Sequence, residues 1–215
     1  MGTIRACIFD LDGVVVDTAK YHYLAWKRLA NELGFDFSEE HNEKLKGVSR
    51  MESLRILLEV GGIALSMQDQ LVLADKKNNW YKEYIGKMTP EEVLPGAISF
   101  FTELKSHGIK LGLGSASKNA STILERTNLM EWFDAIIDGN KTQKAKPDPE
   151  VFLLGAKALD TKPSECIVFE DAEAGIEAAL NAGMRCVGIG DPRILGKANL
   201  VVAGLHEMKF EKLTL

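Results

Sequence analysis

The sequence predicts an α/β protein: a parallel-sheet, Rossmann-like core with a small all-helical domain inserted after its first strand. Three observations predict it. Short apolar runs alternate with amphipathic helix-length segments across the second half of the chain. One further apolar run, residues 4–9, stands alone near the start. Between Thr18 and about Lys87 no strand pattern occurs. A first strand separated from the others by a helical block reads as an insertion. The expected core is therefore 1–17 with 93–215, and the expected helical cap is 18–92.

Each element has its own local reason. Residues 4–9 form an apolar strand that ends at Asp10-Leu11-Asp12-Gly13. Asp17 or Thr18 suits the N-cap of a helix whose apolar stripe is Ala25, Trp26, Leu29, Ala30 and Leu33, and Gly34 stops it. Ser49-Arg50-Met51-Glu52 has the capping-box pattern before Leu54, Leu57 and Leu58. A longer helix is expected from about Ser66 to Ile85. Pro95-Gly96 opens a helix that ends near His107-Gly108, followed by a strand at 109–114. A helix is expected to start at Ser117 and reach about Asn128, with a strand at 133–137. Asp148-Pro149 predicts an N-cap followed by a first-turn proline, with the helix running through Leu159. A strand at 167–169, a helix from Ala174 to Gly183, and strands at 185–189 and 200–202 complete the alternation.

Composition narrows the function classes. The chain has 215 residues, 46% hydrophobic and 27% charged, with a formal net charge of -5. No block of like charge stands out, which argues against a nucleic-acid or anionic-membrane partner. No apolar run approaches the ~18 residues of a membrane span, and the first strand lacks the pattern of a signal peptide. Cys7, Cys166 and Cys186 are odd in number and sit in apolar segments, so buried free thiols and a cytoplasmic setting are expected. Oligomeric state is left open, with a monomer as the working expectation.

In an open α/β sheet, ligands sit beyond the carboxyl ends of the strands. Asp10 and Asp12 follow the first strand. Ser115, Ala116 and Ser117 follow the second, and Glu170-Asp171 follow the strand at 167–169. Lys146 lies in the loop Lys144-Ala145-Lys146-Pro147-Asp148-Pro149. Taken singly, each has a plainer reading. Asp-x-Asp-Gly also makes turns, Ser115 is a loop hydroxyl, Lys146 a solvated charge, and Glu170-Asp171 are acids at a helix start. Gathered at one sheet edge, four acids suit Mg²⁺, while hydroxyls, backbone N–H groups at Ser117 and Lys146 suit phosphate oxygens. If the chain turns at Gly13, both aspartates can face one site, where one carboxylate attacks and the other moves a proton. Two nucleotide-binding patterns fail. Gly112-Leu113-Gly114 has Ser117 where a third glycine belongs, and Gly190 to Lys197 has the wrong glycine spacing for a P-loop.

These residues resemble the haloacid-dehalogenase superfamily of aspartate-based phosphotransferases. The match comprises Asp10-Leu11-Asp12-Gly13-Val14 with Asp17-Thr18, then Ser115, Lys146, and Glu170-Asp171 with Gly175. Further segments are similar to its sugar-phosphate mutase branch: Thr18, His22 and Trp26; Gly47, Val48, Ser49, Arg50 and Ser53; Lys77; and Ser115-Ala116-Ser117-Lys118-Asn119. The resemblance implies that Asp10 is the nucleophile and forms an aspartyl phosphate, and that Asp12 is the general acid and base. It implies Mg²⁺ held by Asp10, the Asp12 carbonyl, Glu170 and Asp171, with Ser115 and Lys146 on the transferring phosphate. Arg50, with Ser117, Lys118 and Asn119, would hold a second phosphate, and cap closure would exclude water. The implied substrate is a phosphorylated hexose, with β-glucose 1-phosphate and glucose 6-phosphate interconverted through glucose 1,6-bisphosphate. A Mg-dependent phosphatase using the same nucleophile is the alternative. The plainer readings of the insert residues also stand. Ser49 is a helix cap, Arg50 and Lys77 are surface-type cations, and Trp26 is helical core. The stretch 139–143 matches nothing in the resemblance.

Overall fold

The computed structural model describes residues 3–45 and 48–214. The six strands are β1 (Ala6–Phe9), β2 (Lys110–Gly114), β3 (Ala135–Ile137), β4 (Cys166–Glu170), β5 (Arg185–Ile189) and β6 (Leu200–Val202). The helices are α1 (Ala19–Glu32), α2 (Glu39–Glu43), α3 (Arg50–Val60), α4 (Met67–Ile85), α5 (Ala97–Ser106), α6 (Ala120–Arg126), α7 (Glu150–Ala158) and α8 (Glu173–Asn181). All strand pairs are parallel, in the order β3-β2-β1-β4-β5-β6. The first strand is thus central, and the topological switch point falls between β1 and β4, where an open α/β sheet binds its ligands.

The sheet is apolar on both faces because helices cover both. On one face Ile8, Val168 and Cys186 meet Phe152 of α7, Leu159 at its end and Ile176 of α8. On the other, Phe9 stacks on Phe169 at 4.5 Å and meets Phe101 of α5 edge-on at 4.9 Å. Full burial of such a ring contributes roughly 1.5–3 kcal/mol, so β1 is fastened from both sides and its carboxyl end is well placed. All three cysteines are free and buried, and burial raises each thiol above its usual pKa. Among the described residues no helix is long and apolar enough to cross a membrane.

The chain divides into two compact units, Met1–Asp17 with Thr89–Leu215, and Thr18–Met88. In the α/β unit the outgoing and returning passages run together. Val16 bridges Val93, and Leu94 N donates to Val15 O at 2.9 Å. The 3-10 turn Pro90–Glu92 belongs with this unit. In the helical unit α4 packs on α1 and α3, through Trp26, Leu29, Leu54, Leu57 and Tyr81.

Several local expectations are corrected. The helix expected at Ser117 begins at Ala120, because 115–119 instead folds on its own hydroxyls. Pro149 is the N-cap of α7 rather than its first residue, and Asp148 Oδ1 accepts from Glu150 N at 3.0 Å one step along. Ser49 caps α3 by accepting from Glu52 N at 3.2 Å, while the Glu52 carboxylate turns to Arg55 Nε at 2.9 Å. A reciprocal capping box occurs at Ser38 and His41 of α2, a helix the periodicity did not reveal because it is one turn long.

Candidate active site

The sheet's switch point carries a buried charge cluster. Lys146 Nζ lies 2.6 Å from Asp10 Oδ1 and 2.5 Å from Glu170 Oε1, and donates to Gly114 O at 3.1 Å. Strand ends β1, β2 and β4 therefore converge on one ammonium. Burial alone would lower the Lys146 pKa, but the carboxylates of Asp10 and Glu170 outweigh it and hold the pKa well above the usual lysine value. Glu170 is raised by burial and by Asp10, against the pull of Lys146. Asp171 is pushed up to about 8 by burial, then by the negative charges of Asp10, Glu170 and Asp12.

Backbone shape sets these positions. After β1 the chain turns at Gly13, φ +77°, and Gly13 N donates to Val16 O at 2.8 Å. A Cβ at Gly13 would lie 2.1 Å from Asp171 Oδ2, so the glycine is what admits that carboxylate. Gly175 does the same for Glu170, whose Oε1 would stand 2.0 Å from a Cβ there. The Lys146 loop is anchored on both sides. Glu150 Oε2 accepts from Gln143 N and Lys144 N at 2.8 and 2.7 Å, and Asn181 Nδ2 donates to Pro147 O at 3.1 Å. Glu150 and Asn181 are site-positioning residues that sequence reasoning missed; neither belongs to a motif.

Ser115 is 1% exposed, and its Oγ accepts from Ser117 N at 3.1 Å. A hydroxyl carries one hydrogen of its own, so that hydrogen remains for a ligand oxygen. Ser117 Oγ accepts from Asn119 N at 3.2 Å. Ala116, Ser117, Lys118 and Asn119 thus form a compact loop beside Gly114 and Lys146.

The helical unit holds a second cluster. Lys77 Nζ lies 2.9 Å from His22 Nδ1, 4.4 Å from the Trp26 ring centroid and 5.0 Å from that of Tyr81. His22 stacks on Tyr81 at 4.1 Å. The His22 pKa is driven well below the usual value by burial, then by Lys77 and Arg50, so the ring is neutral. Arg50 Nη1 lies 3.7 Å from Asp75 Oδ1. Ser53 and Thr18 are buried, Ser49 is an exposed cap, and Val48 is exposed. Gly47 lies outside the described residues. Tyr81 and Asp75 were not expected here, although Lys77 and Tyr81 stand four apart on α4, the spacing that places them on one face.

Burial and the Arg50 charge lower the Lys77 pKa to about 7. An unfolded chain binds that proton up to the ordinary lysine pKa. Folding therefore expels it between these values, and stability rises with pH across that window. Below it, the buried charge costs on the order of 5 kcal/mol by the linkage relation. Replacing Lys77 with Met is expected to raise Tm at pH 6 and to lose that advantage by pH 10. A Tm difference independent of pH, measured by calorimetry, would refute the shift.

A family model for haloacid dehalogenase-like hydrolases matches residues 7–189. The chain belongs to this family. A β-phosphoglucomutase from Bacillus subtilis is 44% identical over 212 residues, covering 98% of this chain and 94% of that protein. The crystal structure of a β-phosphoglucomutase from Clostridium difficile is similar with a TM-score of 0.89 and 46% identity, covering 98% of this chain and 96% of that one. A phosphorylated carbohydrates phosphatase from Thermotoga maritima is 32% identical over 213 residues, 98% of this chain and 96% of that protein. The chain is an enzyme with the haloacid dehalogenase-like fold, and phosphotransferases of this family generally use Mg²⁺.

The donor set fits that metal. Asp10 and Glu170 share Lys146, and Asp171 adds a third carboxyl whose ionisation both of them oppose. Among the described residues no three His, Cys, Asp or Glu side chains already enclose a metal position, since Lys146 draws Asp10 and Glu170 to itself. Burial first, and then the neighbouring carboxylates, hold the Asp171 pKa up. Hard carboxylate oxygens with surplus negative charge suit Mg²⁺ rather than a soft metal.

Proposed function

We propose that this chain is an isomerase that interconverts β-glucose 1-phosphate and glucose 6-phosphate by phosphoryl transfer through Asp10. The observation that carries the reading is the buried Asp10–Lys146–Glu170 cluster at the switch point, and the identity to β-phosphoglucomutases supports it. Asp10 carries the phosphoryl group. Asp12 takes the proton from the sugar C6 hydroxyl as that oxygen bonds to phosphorus and the Asp10–phosphorus bond breaks. Glucose 1,6-bisphosphate then turns over, and Asp10 attacks the phosphorus at C1. The bond from phosphorus to O1 breaks, Asp12 returns the proton to O1, and glucose 6-phosphate leaves with Asp10 phosphorylated again.

Lys146 and the Ser115 hydroxyl neutralise and orient the phosphoryl oxygens, which is most of what phosphoryl transfer asks of a protein. Asp10, the Asp12 carbonyl, Glu170 and Asp171 would hold Mg²⁺, which when bound supplies further charge neutralisation. Arg50 is assigned to the non-reacting phosphate together with Ser117, Lys118 and Asn119, because a guanidinium grips two phosphate oxygens at once. Thr18, His22, Trp26, Gly47, Val48, Ser49, Ser53, Lys77 and Ala116 complete the sugar and phosphate contacts. A cytoplasmic setting suits three buried free thiols.

The likeness to the Thermotoga maritima phosphatase makes hydrolysis of a small sugar phosphate the competing reading. One assay separates them. With Mg²⁺, β-glucose 1-phosphate and a trace of glucose 1,6-bisphosphate, glucose 6-phosphate is expected to accumulate with little free phosphate. Fast phosphate release without isomerisation would establish the phosphatase. Arg50→Ala is expected to slow isomerisation about 10²-fold, a typical loss for one charged binding contact. It should change phosphorylation of Asp10 by acetyl phosphate far less, and equal losses would remove Arg50 from the second-phosphate role.

A further inference from the structure

We propose that Asp138, Gly139 and Asn140 are positioning residues that hold loop 115–119 in its phosphate-binding shape. The proposal rests on the reading that this loop takes a substrate phosphate. The three residues directly follow β3, and none belongs to a motif that carries the family resemblance.

The loop is clamped at successive backbone groups. Ser115 N donates to Ile137 O at 2.9 Å, and Gly139 N donates to Ser117 O at 3.1 Å. Asn140 Nδ2 donates to Lys118 O at 2.9 Å. Ala116 O faces Gly139 so closely that a Cβ there would lie 2.2 Å from the oxygen and 3.0 Å from its carbon. Backbone blocks this approach, so no side-chain rotation relieves it.

Asp138, 5% exposed, sets the geometry of the clamp. Its Oδ1 accepts from Asn140 N at 3.1 Å, its Oδ2 from Asn140 Nδ2 at 2.9 Å, and its carbonyl from Lys141 N at 2.9 Å. The Asn140 amide is thereby fixed in the orientation that reaches Lys118 O.

Peptide planarity turns this clamp into an anion-binding device. In a trans peptide the C=O and the following N–H point in opposite directions. Drawing the carbonyls of Ala116, Ser117 and Lys118 toward 139–140 turns the N–H groups of Ser117, Lys118 and Asn119 the other way. That is the side of the Ser115 hydroxyl, since Ser117 N reaches Ser115 Oγ. The Ser117 and Asn119 N–H groups are spent on the Ser115 and Ser117 hydroxyls, which closes the loop on itself. The Lys118 N–H, turned to the same side, is the backbone donor offered to an anion beside the Ser115 hydroxyl, its direction imposed from behind by 138–140.

The test is the affinity of the full-length protein for inorganic phosphate in the presence of Mg²⁺, by isothermal titration calorimetry, alongside turnover and Tm. Asn140→Ala is expected to weaken phosphate binding about 10-fold, the equivalent of one lost hydrogen bond. KM for the sugar phosphate should rise similarly, kcat should change less, and Tm should hold to within a few degrees. Gly139→Ala should weaken phosphate about 10²-fold, as expected for a binding loop displaced by about 1 Å. If Gly139→Ala does not fold, Asn140→Ala decides alone. Unchanged phosphate affinity in folded Asn140→Ala overturns the clamp, as does wild-type protein that binds no phosphate. A wild-type protein that binds phosphate but only hydrolyses refutes the mutase reading and leaves the clamp, which the titration reads directly.

Discussion

Replacing Asp10 with Asn is expected to abolish turnover while leaving the fold in place. An amide is a poor nucleophile and cannot carry a phosphoryl group, so a loss of about 10⁴-fold or more follows from removing a covalent nucleophile. Stability should not suffer. Asp10 is one of two carboxylates in contact with Lys146, and Glu170 Oε1 still holds the ammonium at 2.5 Å. Asp171 is raised first by burial and then by Asp10, so removing the Asp10 charge relieves part of what opposes its ionisation. The checks are turnover, intact mass after treatment with acetyl phosphate, and Tm. Wild-type protein should acquire one phosphoryl group and Asp10→Asn none, with Tm equal or slightly higher. Near-wild-type turnover in Asp10→Asn would refute the nucleophile assignment.

Replacing Lys146 with Met should damage both activity and stability. The substitution keeps an apolar stem of similar length but removes the ammonium, and with it the cation–π contact over the Phe152 ring at 4.9 Å. Asp10 and Glu170 then face each other in a buried site without their shared cation. Removing one partner of a buried pair typically costs about 3–5 kcal/mol, which corresponds to a Tm loss of about 10 °C for a chain of this size. Turnover should fall about 10³-fold from lost charge stabilisation. Arg at 146 should not restore activity, because a planar fork does not reproduce one ammonium between two carboxylates and the Gly114 carbonyl. The double variant Lys146→Met, Asp10→Asn should recover much of the Tm and none of the turnover. An unaltered Tm in Lys146→Met would refute the energetic role of the cluster.

Much of the fold was legible because its causes are local. The alternation of apolar runs with amphipathic segments marks strands and helices by period, and a strand-free block of 70 or so residues marks an insertion. The acids stood out for the same reason: Asp10, Asp12, Glu170 and Asp171 end apolar runs, where a charge is costly unless it has a use. Errors arose where one local rule met another local competitor, or a partner far away in sequence. Ser117 has the residue type that opens helices, yet the hydroxyls of Ser115 and Ser117 take the nearby N–H groups and α6 starts at Ala120. Glu52 fits a capping box but finds Arg55. The stretch 139–143 matches nothing in the resemblance because polar residues in a turn resemble any other turn until their partners are known.

What the sequence determined by itself was the order of elements, the residue types at each strand end, and hence the class of chemistry. Local composition and period decide these, and they need only neighbours a few residues apart. What the tertiary structure decided was adjacency. Asp10 and Lys146 are 136 positions apart and meet at 2.6 Å because β1 pairs with both β2 and β4, with Phe9 in register with Leu113 and Phe169. That register is a property of the whole packed sheet. It also brings Asn140 beneath Lys118, while in the helical unit the packing of α1 on α4 brings His22 beside Lys77. Distances between chain-remote groups follow from how buried faces fit together, and no window of sequence contains that fit.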